Sequence, residues 1–218
     1  MIGQAAWPII EIEPVMQAAF EHLRDAATIT FTASGVADDA ELFEVSSTEG
    51  LFAGLPVFGP EVPWGTMVAS VDHGAATVTL TAPIGAAVED GTFTTGFLTV
   101  SRRVTHWQQT ANQPAFFLRR VGMSDDADGH FIIRTIECEM WIYTNAGQDG
   151  SLAPDEALTG LETMLRNSLV PDWQDDDGVR FTLGGRVYWC RIEGNADISP
   201  GDHDSQAIAR IPLRITLP

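Results

Sequence analysis

Basic side chains are scarce in this sequence, and their scarcity excludes one class of partner. Thirty Asp and Glu stand against twelve Lys and Arg, a formal charge of −18. Affinity for a phosphate backbone comes from cationic side chains that displace counterions, so nucleic acid is not an expected ligand. Long apolar runs are missing too. No stretch of about eighteen apolar residues is present to cross a bilayer, and the opening "MIGQAAWPIIEIEP" lacks the positive charge of a signal peptide. A soluble product made in the cytoplasm, with no membrane partner, is the expectation. Cysteine is limited to Cys138 and Cys190, each inside an apolar strand pattern, which reads as buried reduced thiol rather than a disulfide.

Arrangements that carry chemistry are absent as well. His22, His73, His106, His130 and His203 show no HExxH or other paired ligand spacing. No GxSxG elbow, phosphate-binding glycine loop or Cys-His motif occurs. Two acidic stretches imitate a calcium loop and fail its register: with Gly129 sixth, the required Glu at the twelfth place is Thr135, and with Gly178 sixth it is Gly184. The sequence therefore predicts no enzyme, no cofactor and no metal.

What is present is a globular composition, 44% hydrophobic with a mean hydropathy of +0.03, enough to build a core. "EIEPVMQAAFEHLRDA" places Val15, Ala18, Ala19, Phe20 and Leu23 at helical spacing, with Glu11 and Glu13 at the positive dipole end. From about residue 28 to 96 the texture changes. Lys and Arg vanish, and short strand patterns such as "TITFTAS" and "ATVTLTAP" alternate with turns such as "PVFGPEVPWGT" and "DHGA". After Phe97 strands are expected at 97–102 and 114–120, then a turn "MSDDADG" and a long strand "HFIIRTIECEMWIYTN". In that strand Ile136, Cys138, Met140 and Ile142 point to one face, while Glu137, Glu139, Trp141 and Tyr143 point to the other, toward solvent or a partner.

A second helix is expected in "PDEALTGLETMLRNSLVP", with Leu158, Leu161, Leu165 and Leu169 in one stripe and Pro171 past its end. Two strands close the chain, "GGRVYWCRIEG" and "QAIARIPLRITLP"; Pro212, which has no N–H to donate, predicts an edge position or a bulge for the last. Residues 1–27 and 97–218 then form one α+β domain, with a mixed or antiparallel sheet and helices packed on one face. Residues 28–96 form a small all-β domain inserted into it.

The order of a first helix, "TVSRRVTHW", "QPAFFL", "TIECEMWIYT", a leucine-striped helix and "YWCRIEGNADISPGDHDSQAIARIPLRI" resembles the tail terminator proteins of long-tailed bacteriophages. The resemblance spans the first helix and nearly all of 97–218. It implies a structural virion protein, assembled in the host cytoplasm, of which six copies close into a ring on the finished tail tube. Its implied partners are itself as a homohexameric ring, the tail tube protein and a head-proximal connector or stopper protein, with DNA passing through the ring without specific binding. Another phage neck ring, such as a head-tail connector or completion protein, is the alternative; a hydrolase or a carbohydrate-binding β module is a distant one. Residues 28–96 depart from the family's usual length, and "GLPVFGPEVPWGTMVASVD" is similar to β segments repeated in many phage structural proteins.

Two sets of residues follow. Arg102, Arg103 and Trp107 form an interface patch, since Arg binds carboxylates bidentately and Arg and Trp are enriched at hot spots; Glu137, Glu139, Trp141 and Tyr143 are its expected complement. The competing reading has Arg102 or Arg103 paired within the chain and Trp107 filling a core edge. Asp125, Asp126, Asp128, Asp175, Asp176, Asp177, Asp202 and Asp204, in three acidic turns, are the expected lining or rim of a DNA channel, or else serve to solvate turns.

Overall fold

A computed structural model describes residues 11–128, 131–145, 154–175, 178–199 and 206–217. In chain order the elements are α1 (Ile12–Ala26), β1 (Thr28–Val36), β2 (Leu42–Glu44), β3 (Val57–Phe58), β4 (Val68–Asp72), β5 (Thr77–Leu80), β6 (Val88–Gly96), β7 (Thr99–Ser101), β8 (Ala115–Asp128), β9 (Phe131–Asn145), α2 (Pro154–Ser168), β10 (Trp173–Asp175), β11 (Gly178–Arg180), β12 (Trp189–Ile192), β13 (Asp197–Ser199) and β14 (Gln206–Thr216).

The main sheet runs β12-β14-β9-β8-β7, with β13 also beside β14; only β7 and β8 run parallel. Alternation in β9 and β14 sends Ile136, Cys138, Met140, Ile142, Ala209, Ile211, Leu213 and Ile215 to one face, where α1 and α2 cover them. The helices bring Val15, Met16, Ala19 and Leu23, and Leu158, Leu161 and Leu165. Each such aliphatic side chain, fully buried, contributes about 1.5–3 kcal/mol. Cys138 and Cys190 are free thiols in this core, and burial pushes the Cys138 thiol up to about 12 and raises that of Cys190 as well. Among the described residues no helix is long and apolar enough to cross a membrane.

The fold class expected from sequence is corrected here. Among the described residues the protein is mostly β, 47% strand against 16% helix, with two α-helices and a main sheet curled into a half-barrel, rather than an α+β fold of helices packed on a sheet. The difference arises where strands carry no apolar alternation. Within "MSDDADG" residues 123–128 are not a turn: β8 continues through Asp128, paired in register with β9 as far as Asp128↔Phe131. A two-stranded ribbon with water on both faces has no buried side to mark its period, and so its acidic residues read as a loop. The short strands β10, β11 and β13 escaped notice for the same reason, all of β10 and β13 being exposed.

Residues 28–96 form two three-stranded sheets, β1-β6-β3 and β2-β5-β4. Their own core is built around Phe93, whose ring lies 5.6 Å from that of Phe31 and 5.4 Å from that of Phe43, with Leu55, Val78, Leu80 and Ile84. First and last strands pair from Thr28↔Gly96 to Val36↔Val88, so the chain enters and leaves at one point, where Phe97 N donates to Ala27 O at 2.9 Å. The insert does not hang free. Met164 of α2 is buried in its core, and Gly160 of α2 sits so close to Gly54 that a Cβ there would stand 2.2 Å from the Gly54 carbonyl oxygen.

Pro212 lies in an inner strand, not at an edge. Its neighbour on one side is β9, through Pro212↔Glu139; on the other, β12 stops at Ile192↔Leu213 and β13 begins only at Asp197↔Arg210. Glu193 N donates to Pro212 O at 3.2 Å across this gap, which places the missing donor where no strand asks for it.

Candidate interaction surface

The segment 101–113, which holds the "SRR…HW" pattern, is a loop fastened by its own side chains. Ser101 Oγ accepts from Arg103 N at 3.1 Å, Thr105 and Thr110 hydroxyls meet at 2.8 Å, and Trp107–Gln109 form a single 3₁₀ turn. Buried Gln113 donates from Nε2 to the carbonyls of Trp107 and Thr110, both at 3.3 Å, ahead of a cis bond to Pro114. The loop is thereby folded over the sheet face opposite the helices. It lays Val104 and Trp107 against Ala115, Phe117 and Tyr143, with Trp141 and Ile208 alongside.

Trp107, Trp141 and Tyr143 are therefore brought together, but as a second small core. Tyr143, expected to meet solvent or a partner, is only 4% exposed, with its ring 5.3 Å from that of Phe117, and burial raises its hydroxyl pKa. Arg102 and Arg103 part company. Arg102 reaches back to α1, where it makes two hydrogen bonds to the Glu13 carboxylate and one to Gln17 Oε1 at 3.3 Å; the first of these contacts holds the Glu13 carboxyl below its usual range. Arg103 is exposed, and no ion pair engages it among the described residues.

The expected acidic complement is already neutralised. Glu139 lies 3.6 Å from Arg210 and accepts from Trp141 Nε1 at 3.0 Å, and Glu137 lies 3.9 Å from Arg214. The antiparallel register of β9 with β14 sets Arg214 opposite Glu137 and Arg210 beside Glu139. Arg210 also binds Asp197 at 3.0 Å, Arg214 binds Glu193 at 2.7 Å, and Arg191 binds Glu193 at 2.6 Å. Exposed pairs like these contribute about 0–1 kcal/mol each; their consequence is a face balanced in charge.

Of the acidic residues expected to line a channel, the four described ones lie in strands, Asp125, Asp126 and Asp128 in β8 and Asp175 in β10. Asp125, in β8, binds Arg134 through both carboxylate oxygens at 2.7 and 3.0 Å, which lowers its pKa. Asp126 is exposed opposite Ile133, and Asp128 ends β8. Asp175 is ion-paired with Arg180 across the β10–β11 hairpin. Asp176, Asp177, Asp202 and Asp204 lie outside the described residues. Asp172, not singled out by sequence, holds a loop: its carboxylate accepts from Thr182 N at 2.6 Å, Thr182 Oγ1 at 2.9 Å and Gly184 N at 2.8 Å, and these contacts lower its pKa against the opposing cost of burial.

The sequence reading missed Arg119 and Arg120. Every basic residue of this chain is an arginine. Among the described residues eight of them form ion pairs and four do not, Arg103, Arg119, Arg120 and Arg186. Three of those four gather at one edge of the sheet. Arg119 stands in register with Glu139 on the outer face, whereas Arg120 stands in register with Cys138 on the helix face, near enough to α1 to help lower the Glu13 pKa. The signal was available: "SRR" and "LRR" are the chain's two Arg-Arg pairs.

That edge is also open. β7 pairs with β8 only at Thr99↔Ala115, Val100↔Phe116 and Ser101↔Phe117, so residues 118–128 have no strand on that side among the described residues. On the far side β14 accompanies β9 only from Thr135 onward. Residues 121–128 and 131–134 thus form a two-stranded arm that exposes Val121 at 49%, Met123 at 46% and Ile133. An open edge with exposed apolar side chains is a template for pairing with another chain. Among the described residues no group of three or more His, Cys, Asp or Glu could hold a metal ion. Compared with known protein families and with curated proteins, the sequence matches no family model and no curated relative.

Proposed function

We propose that this protein is a structural component of a long-tailed phage, a ring that caps the tail tube, ends its polymerisation and presents a surface for head attachment. The observation that carries this reading is the open edge of β8 with its unpaired Arg103, Arg119 and Arg120 beside the "SRR…HW" loop. A protein built to work alone covers or blunts such an edge, whereas a subunit of an assembly keeps it for its neighbour. The motif segments on which the resemblance rests also lie in one body, since α1, α2, β8, β9, β12 and β14 share a single core. The chain acts without catalysis in this reading. Its surplus of eighteen negative charges suits a ring through which DNA passes, because an excess of carboxylates repels phosphates.

Negative-stain imaging of the purified protein, alone and mixed with its tube protein, tests the proposal. Rings, and tubes closed by a ring at one end, are expected. Monomers that leave tube length unchanged refute it.

A further inference from the structure

We infer that the open edge of β8 receives the acidic outer strand of the insert, β2 with its approach, from a second copy of this chain. This inference rests on the ring reading above and names the contact that closes the ring. The receiving edge is residues 118–126. There Arg119 and Arg120 project to opposite faces of the sheet, so a strand laid alongside is gripped from both sides.

The insert carries nine carboxylates and no Lys or Arg. Asp38, Asp39, Glu41 and Glu44 surround β2 and are all exposed, and no ion pair joins the insert to an arginine of its own chain among the described residues. β2 is the outer strand of its sheet, and its Leu42 is 60% exposed. The chain thus holds two unlike, unsatisfied edges, one cationic with exposed Val121 and Met123, the other anionic with exposed Leu42. Main-chain pairing supplies affinity in strand addition, and flanking side chains supply specificity. Here the flanking pairs are arginine to carboxylate, bidentate and geometrically demanding. Because the two edges lie on different parts of the molecule, the contact is heterologous, and repetition closes a ring or extends a filament.

The test is a charge swap on the full-length chain, read by sedimentation velocity. Arg119→Glu with Arg120→Glu, and separately Asp38→Arg with Asp39→Arg and Glu41→Arg, should each weaken association by about a hundredfold or more, since like charges in contact cost several kcal/mol. Mixing the two variants makes both contacts complementary again, reversed edge to reversed insert and native edge to native insert in alternation, and should restore rings or filaments in which the two variants alternate. Combining all five substitutions in one chain should restore the wild-type species. Raising salt from about 0.1 M to about 1 M, which shortens the Debye length from about 10 Å to about 3 Å, should weaken the wild-type assembly.

As a check independent of charge, a chain with Leu42→Cys and Met123→Cys should cross-link into a ladder of oligomers under oxidation, and neither single substitution should exceed a dimer. Circular dichroism identifies any variant that fails to fold, and the cross-linking result then decides. Wild-type assembly that is indifferent to both reversals, or a double-cysteine chain that forms no ladder, overturns this contact and leaves the ring reading standing. A wild-type chain that stays monomeric at every concentration and salt overturns the contact, and the capping of tubes then decides the ring reading by itself.

Discussion

The joint between body and insert is set by Gly160, and replacing it with alanine separates two opposed effects. Gly160 lies inside α2, where alanine in place of glycine stabilises a helix by about 1 kcal/mol. Against this, the new Cβ would stand 2.2 Å from the Gly54 carbonyl oxygen and 2.7 Å from its carbonyl carbon. Carbon–oxygen contacts relax only beyond about 3.3 Å, so α2 and the insert must part by roughly 1 Å. The obstacle is backbone, which cannot rotate away, and Met164 one turn on is buried in the insert's core and must move with the helix. Overpacking of this kind costs about 1–3 kcal/mol, and the backbone clash places this site at or above the upper end. The net expectation is destabilisation by about 2 kcal/mol or more, a Tm lower by roughly 4–8 °C or more for a chain of this size, measured by calorimetry or urea titration. A gain in stability of about 1 kcal/mol, the helix preference with no clash beside it, would refute the reasoning. Gly54→Ala gives a contrast. Its Cβ would find only Gly160 Cα, at 4.0 Å, so its cost comes from a φ of +91° and amounts to about 1–2 kcal/mol whether or not the insert stays docked.

Replacing residues 28–96 by a short glycine-serine linker should leave the body folded, because Thr28 and Gly96 are paired neighbours and the body's core does not draw on the insert's strands; the deletion should unfold cooperatively, with stability improved by adding Met164→Thr, and loss of a cooperative transition would show that the body depends on the insert. The Arg102–Glu13 contact predicts a pH signature. A carboxylate whose folded pKa is depressed stabilises the fold above its unfolded value, here the ordinary 4.5, and loses that contribution as pH falls through the lower folded pKa. Wild type should therefore melt above Glu13→Gln near neutrality, the two melting curves should converge as the pH falls below the ordinary 4.5 and through the lowered pKa, and a constant difference down to the most acid pH would remove Arg102 as the cause.

The parts of this protein that could be read from sequence are those whose signal repeats along the chain. The 3.6-residue spacing of Val15, Ala19 and Leu23, and of Leu158, Leu161 and Leu165, marked both helices and their buried stripes. Alternation in 136–142 marked the face of β9 that the helices cover, and the stretch without Lys or Arg that was read from residue 28 to 96 starts and ends at strand neighbours, Thr28 and Gly96. Where a strand lies in water on both sides there is no alternation to find, which is why β8 was cut short at an acidic stretch and the mostly β character of the chain went unread. Other features depend on which distant residue arrives opposite. Glu137 and Glu139 looked free until β14, some seventy residues on, set Arg214 and Arg210 beside them. Tyr143 looked exposed until a loop fastened by Gln113 folded across it, and Pro212, which called for an edge or a bulge, lies in an inner strand where the gap between β12 and β13 falls beside it. Periodicity is a local property and survives in the sequence. Pairing depends on strand register across the sheet, and only the folded chain decides which charges find partners and which, like Arg119 and Arg120, stand without an ion pair among the described residues.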